Sequence, residues 1–567
     1  MVNIMPLFSQ YKNKIKYFGL GFVFLIIILF RMLGLRNDEV FLSSDTAMQV
    51  LAAMDIFNLM HNFGFLNLLS YLLRLYAMPC GCNIEILNTV IVLVLDIFRI
   101  PITELTITIP HVFIGILSFW VIYKLGRELH SVAAGILSVI FLSVMPAHIL
   151  SSRMPHGITS ISSIFCMLSI IYFIRYFKSG KRIMGIWGSL FLAMYIGWDG
   201  QFLAVFPLVF FTGLAYVQGN SLTTKIKRTV DMLMKKSIFI LPAISLLPHI
   251  IVWGWFVFTR KSYVDGYIGH LFLEKTYNYA WDPFLFFEGM LLDTSLIFII
   301  ASSIAFSYGL YLFYKRSPQS LLVIWAALYL APWLFAIQRP DTSWRIYYLM
   351  GIIPLTILVA IAILEAGSLL GKTFMRKFKF VILSMLVGSI VFSMLVRSLS
   401  AAYDITLFGL KTDFYYGKMV RQNYGVKTAG FYARENIPLT SRLFTDSGIP
   451  VVKYYFHRMP VADKDVFYNI ISSEDENKYE FLRKVVDTID YIFVRTKNET
   501  LAQPYVEKDF YKIIDIYYRN NPVMSIYSRD KKPLMRMDVE KYDRLFDKKY
   551  GKGDALRVPT WYNIEVF

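Results

Sequence analysis

A polytopic α-helical membrane protein of about 11 spans, with a C-terminal extracytoplasmic α/β domain, is the fold class this sequence predicts, and three observations predict it. Of its 567 residues, 56% are hydrophobic and 17% aromatic against only 17% charged, with a mean hydropathy of +0.50. Apolar runs recur between Phe18 and Arg397, each near the ~20 residues needed to cross ~30 Å of hydrocarbon. Past Arg397 the apolar density falls and mixed, β-rich sequence takes over. Two domains follow, 1–399 in the membrane and 400–567 outside it.

Spans are expected near residues 18–35, 103–123, 132–149, 158–175, 183–197, 201–217, 237–257, 288–313, 320–337, 346–364 and 380–398. No small-residue cleavage site follows the first, so it reads as a retained anchor. The net charge of +18 would suggest nucleic acid in a soluble protein, but here the basic residues collect in alternate loops. Lys12, Lys14 and Lys16 precede the first span. Later clusters are Lys124/Arg127, Arg175/Lys178/Lys181/Arg182, Lys225/Lys227/Arg228/Lys235/Lys236, Lys315/Arg316 and Lys372/Arg376/Lys377/Lys379. The positive-inside rule makes those loops cytoplasmic and puts the N-terminus inside. The connections around 153–157, 198–201 and 338–343 then face outward, as does everything after Arg397.

The first outer loop, 36–102, holds two short apolar stretches, 63–78 and 84–98, which contain or adjoin Arg74, Glu85, Asp96 and Arg99. They fit helices lying in the interface. If only one crossed, every later basic cluster would land outside; if both crossed, the downstream topology would be unchanged. Cys80 and Cys82 are separated only by Gly81, and Cys166 falls within a span, so no metal framework is visible. In the C-terminal part, 441–446, 489–496, 512–518 and 523–528 read as strands, and 427–435 and 479–486 as helices. Asn498-Glu499-Thr500 is a glycosylation sequon, a short pattern that also arises by chance.

The chemistry-bearing feature is the acidic cluster Asn37-Asp38-Glu39 and Ser44-Asp45-Thr46, just beyond the first apolar segment. Acids at or near membrane depth are costly to hold and mark functional positions by default; the plain alternative is that they mark the water boundary. Ser44-Asp45-Thr46-Ala47-Met48 with Leu51-Ala52-Ala53-Met54 resembles the start of the first outer loop in C-type (GT-C superfamily) glycosyltransferases that use polyprenyl-phosphate sugar donors. Tyr123-Lys124-Leu125-Gly126-Arg127-Glu128-Leu129, then Ala133-Ala134-Gly135 and Pro146 to Arg153, looks like their second and third spans. Gly197-Trp198-Asp199-Gly200 is similar to an outer turn in catalytic subunits of oligosaccharyltransferases. Arg339-Pro340-Asp341 and Trp344-Arg345-Ile346-Tyr347-Tyr348 resemble the arginine-bearing start of a late span. The oligosaccharyltransferase motif Trp-Trp-Asp-Tyr-Gly is not found, and residues 151–157 carry no acid. The branch resembling dolichyl-phosphate-mannose protein mannosyltransferases and aminoarabinose transferases, which needs no metal, therefore fits better.

The resemblance implies inverting transfer of a hexosyl or pentosyl group from a polyprenyl-phosphate (dolichyl-phosphate type) donor to an acceptor glycan, lipid or protein, outside the membrane. The reading has no cofactor; a divalent metal is not indicated, nor is nucleic acid. An acceptor hydroxyl must lose a proton while the lipid phosphate departs, so a carboxylate and cations are required. Asp45 is the first choice for the base, at a helix start where Ser43 or Ser44 can cap and the dipole keeps the carboxylate ionised; Asp38 and Glu39 follow. Arg345 and Arg339 suit the phosphate, with interfacial snorkelling as the alternative. Arg153 and His156 share the outer side, and Asp199 is placed to orient acceptor or lipid, or to bond its own turn. Alternatives to monosaccharide transfer are oligosaccharyltransferase-like transfer of a lipid-linked glycan to protein and a lipid-linked sugar flippase. The membrane is a prokaryotic plasma membrane or the endoplasmic reticulum.

Overall fold

The computed structural model describes residues 25, 28, 31, 44–62, 69, 72, 83–153, 160–197, 202–259, 283–335, 348–371, 378–403, 415–447, 449–457, 487–496 and 509–550. Helices α1 (Ser44–Asn62) and α2 (Asn83–Ile97) occupy the first loop. At 15 residues α2 is about 22 Å long, short of the ~30 Å hydrocarbon core. Its apolar face is used elsewhere. Ile91, Val92 and Leu95 join Val50, Leu51, Met54 and Phe57 of α1 in one core with residues of the C-terminal domain. Of the other apolar stretch, 63–78, only residues 69 and 72 are described.

The bundle begins with α3 (Glu104–Leu129), started by a capping box in which Thr103 and Thr106 each bond the other's backbone N–H. It continues with α4 (Val132–Ser143), α5 (Pro146–Ser151), α6 (Ser160–Ser179), α7 (Arg182–Ile196), α8 (Val205–Tyr216), α9 (Leu222–Leu233) and α10 (Lys236–Thr259). Then follow α11 (Pro283–Asp293), α12 (Leu296–Tyr314), α13 (Leu321–Phe335), α14 (Leu349–Leu370) and α15 (Lys379–Tyr403). Among the described residues, five helices are long and apolar enough to cross a membrane: α3, α6, α12, α14 and Lys379–Leu399 of α15. Shorter apolar helical stretches lie at 49–60, 132–143, 182–196, 205–216, 236–251 and 318–332.

Two expected spans are broken. The run at 132–149 stops at Ser143 and restarts as α5, because Pro146 has no N–H to continue the ladder and suits the first turn of a new helix. The carbonyls freed at the break are occupied: Arg31 Nη1 donates to Ser143 O at 3.1 Å and Ser398 Oγ to Val144 O at 2.7 Å. The run at 288–313 is split after Asp293, where Ser295 caps α12 by accepting from Phe298 N at 3.2 Å. Deeper in the bundle the hydroxyls of Tyr195 and Tyr329 pair at 2.8 Å.

The C-terminal domain is a sheet of order β1-β2-β4-β3-β5, with β1 (Leu443–Thr445), β2 (Tyr491–Arg495), β3 (Tyr511–Tyr518), β4 (Asn521–Ser528) and β5 (Met535–Asp538). β1 runs parallel to β2 and β5 parallel to β3, while β4 is antiparallel to both its neighbours. Arg519 and Asn520, both with positive φ, make the two-residue turn whose twist suits a tight hairpin. Helices α16 (Tyr415–Asn436), α17 (Ile449–Phe456) and α18 (Val539–Tyr550) pack with the sheet. The four expected strands are present; β5, α17 and α18 were not anticipated, and the helix expected at 479–486 lies outside the described residues.

Candidate active site

Asp38, Glu39, His156, Asp199, Arg339 and Arg345 lie outside the described residues. Asp45 occupies the first turn of α1, as its pattern predicts, where the helix dipole favours a carboxylate; its side chain is outside the description. One turn on, Gln49 is fully buried and neither of its amide atoms has a hydrogen-bond partner. Residues four apart share a helix face, so Asp45 and Gln49 lie on one side of α1. A buried, unsatisfied amide costs about 1–3 kcal/mol, which makes it a candidate ligand contact.

The first turn of α2 supplies a second acid. Asn83 anchors it by donating to Met194 O at 3.3 Å, against the bare backbone of Gly197, where a Cβ would fall 2.3 Å from Asn83 Nδ2. Glu85 is buried, with Oε2 unbonded, and burial pushes its carboxyl up to about 8. At neutral pH the group is therefore protonated and able to donate a hydrogen bond. Thr89 ties α2 to α1, its hydroxyl lying 2.7 Å from Glu85 O and 3.2 Å from Ala53 O. His111 Nε2 meets Asn88 Oδ1 at 2.7 Å, tying α2 to α3.

The cationic end is built around a residue that the sequence did not single out. Arg31 is fully buried. Its Nη2 lies 2.6 Å from His148 Nδ1, and its guanidinium stacks over Phe119 at 4.4 Å. An arginine can only donate, so His148 Nδ1 accepts and Nε2 carries the proton. That Nε2–H points to Ser118 Oγ at 2.7 Å, whose own proton goes to Gly115 O at 2.6 Å. Arg153, 2% exposed, lies within electrostatic reach of Arg31. Two buried like charges within electrostatic reach of each other favour a bound anion.

Helix α3 spaces the two ends. His111, Gly115 and Ser118 lie four and three residues apart and so share one face. His111 holds the acid-bearing α2, Gly115 lets Ser152, which ends α5, approach to 2.5 Å from where its Cβ would be, and Ser118 holds His148. The seven residues from 111 to 118 correspond to about 10 Å along the axis. A carboxyl-bearing turn and the Arg31 guanidinium are thus held along one side of one helix. Among the described residues no three His, Cys, Asp or Glu side chains converge as metal ligands.

No family model matches this sequence, and no curated protein does. The fold is shared nonetheless. The oligosaccharyltransferase of Archaeoglobus fulgidus in its apo form aligns with a TM-score of 0.53 at 12% identity, over 90% of this chain and 74% of that one. Archaeal AglB from the same organism, in complex with an inhibitory peptide and a dolichol-phosphate, gives 0.51 at 13% identity, over 88% and 73%. ArnT from Cupriavidus metallidurans bound to undecaprenyl phosphate gives 0.53 at 12% identity, over 90% of this chain and 98% of that one. The chain therefore shares the fold of these proteins, and among its described residues five helices are long and apolar enough to cross a membrane.

Proposed function

We propose that this protein is an inverting membrane glycosyltransferase that takes a sugar from a polyprenyl-phosphate donor outside the membrane, on the side of the C-terminal domain at 400–567. The observation that carries the reading is the buried pair Arg31 and Arg153 set along α3 from the acid-bearing turn at Glu85, in a fold whose solved neighbours hold dolichol-phosphate and undecaprenyl phosphate.

In this mechanism the Asp45 carboxylate takes the proton from an acceptor hydroxyl as that oxygen attacks the anomeric carbon from the face opposite the phosphate. The new carbon–oxygen bond forms while the bond to the phosphate oxygen breaks, and the electron pair leaves with the polyprenyl phosphate. Guanidinium groups aimed at that developing charge lower the barrier. Arg31 and Arg153 serve this role, with Arg345 and Arg339 as further candidates for the phosphate. Glu85, held protonated, donates a hydrogen bond to the sugar or phosphate, and Gln49 supplies its unused amide. Asp38 and Glu39 are the next candidates for the base, and His156 and Asp199 are candidates for binding substrate.

The test is consumption of donor. Purified protein in proteoliposomes is given a panel of radiolabelled polyprenyl-phosphate hexoses and pentoses, and released polyprenyl phosphate is measured by chromatography. At least one donor is turned over if the reading holds; a panel left intact, with donor binding also absent, overturns it.

A further inference from the structure

Among the described residues, helix α9 differs from its neighbours on the basic side of the molecule. Ser221 starts it by accepting from Thr224 N at 3.1 Å. Leu222, Ile226, Val230 and Met234 then recur at every fourth position. On an α-helix that spacing drifts only ~40° per step, so the four form one stripe. All four are exposed, at 65%, 38%, 38% and 62%. The rest of the helix and its end carry Lys225, Lys227, Arg228, Lys235 and Lys236 against the single acid Asp231.

The rotation of α9 is fixed by its inward side. Thr229 is fully buried and presses on α8 at Gly213, where a Cβ would lie 2.2 Å from Thr229 Cγ2. Arg228 Nη1 donates to Gln218 O at 2.7 Å. The buried threonine sets the apolar stripe to one side of the protein contact, where it remains open. Helix α9 lies between α8 and α10, both apolar, and α10 begins at Lys236, two residues after Met234. Both ends of α9 are therefore held at the edge of the membrane-embedded bundle.

We propose that α9 is an interfacial helix that sinks Leu222, Ile226, Val230 and Met234 into the adjoining leaflet and gathers anionic phospholipid headgroups with Lys227, Lys235 and Lys236. A polar helix with one apolar stripe and a cationic flank binds a bilayer surface by apolar burial plus attraction to negative lipid. Each lysine near such a surface adds to that attraction. The occupant is a lipid surface rather than a protein groove because the flanking helices already place the stripe at the bilayer. The inference rests on the membrane fold and is independent of sugar transfer.

The experiment uses the full chain in nanodiscs of phosphatidylcholine alone and of phosphatidylcholine with phosphatidylglycerol. In a background of Cys80→Ser, Cys82→Ser and Cys166→Ala, an environment-sensitive fluorophore is attached at Ile226→Cys, Val230→Cys or, as the water-facing control, Asp231→Cys. Lipid-borne quenchers report depth. Labels at 226 and 230 are blue-shifted and quenched, the label at 231 is neither, and quenching at 226 and 230 deepens with phosphatidylglycerol. The triple variant Lys227→Gln, Lys235→Gln, Lys236→Gln loses that dependence on anionic lipid. Labels at 226 and 230 as aqueous as the one at 231, or quenching indifferent to phosphatidylglycerol in the parent, overturn the proposal.

Discussion

The Lys427 ammonium nitrogen lies 3.3 Å from Glu104 Oε2, both side chains closed off from solvent and 323 residues apart in the chain. One ion pair therefore joins the first turn of α3 to α16 of the C-terminal domain. The same ammonium meets Asp543 at 2.7 Å and Asp547 at 2.8 Å, and Tyr455 Oη donates to Glu104 Oε1 at 2.6 Å. Burial alone would pull the lysine down, but Glu104, Asp543 and Asp547 outweigh it and hold the ammonium above the usual lysine range. The joint fixes the C-terminal domain relative to the helix that carries His111 and Ser118, and so to the candidate site.

Lys427→Met strands three carboxylates without their cation. Breaking a buried ion pair by removing one partner costs about 3–5 kcal/mol, so thermal unfolding in detergent should begin at a markedly lower temperature, with early protease cutting between the domains. Adding Glu104→Gln should restore part of the loss, a coupling of about 1 kcal/mol or more in a double-mutant cycle. Strictly additive losses would separate the two residues energetically.

The joint also titrates. Burial, and next the nearby Glu104 charge, push Asp547 from an ordinary 3.8 up to about 7. The folded state then holds a proton that the unfolded chain gives up near pH 4, so stability falls as pH rises through the window from about 4 to 7. His457, which burial holds down at about 3, acts with the opposite sign below its ordinary value. The comparison is therefore the difference between wild type and Asp547→Asn across pH 5 to 8. The variant should lose the part of the pH slope that Asp547 supplies; an identical slope in both proteins would refute the assignment.

Glu85 gives a second pH signature. Its carboxyl, at about 8 in the fold against an ordinary 4.5, destabilises the folded state increasingly as pH rises through that window. Glu85→Gln keeps the shape and the hydrogen-bond donor while removing the charge, so it should melt higher than wild type at pH 8 and alike at pH 4.5. Equal melting temperatures at both values would place Glu85 in contact with solvent or a cation.

Arg31→Met removes one half of the guanidinium pair. Charge-assisted hydrogen bonds contribute about 1.5–3 kcal/mol each, so affinity for a polyprenyl phosphate should drop about tenfold or more, with Arg31→Lys recovering part of it. Calorimetric titration with a short-chain polyprenyl phosphate in detergent measures this. Unchanged affinity would leave Arg31 as a structural plug for Ser143 O.

Much of the architecture was legible because it depends on local patterns. Apolar runs marked the membrane part, alternation marked β2, β3 and β4, and the Ser44-Asp45 start marked α1. The break at Pro146 was equally available, since proline has no donor for the ladder, yet the continuous hydropathy of 132–149 concealed it. In the sequence, Glu85 is a charge that argues against a span; its burial depends on Asn83, Met194 and Gly197, which only the fold brings together. Arg31, at the end of an apolar segment, looks like any boundary cation until His148 and Ser143 are seen around it. Lys427 sits in an unremarkable polar helix, and its partners come from positions 104, 543 and 547.

The central claim is that a carboxylate at the start of α1 drives sugar transfer from a lipid phosphate. The most direct measurement is label transfer from radiolabelled polyprenyl-phosphate sugar by wild type and Asp45→Asn at matched protein level, with donor binding measured in parallel. Wild type should transfer label, while Asp45→Asn should bind donor as well and lose 10²-fold or more of the rate, about the share a positioned base supplies. Full transfer by Asp45→Asn would contradict the account.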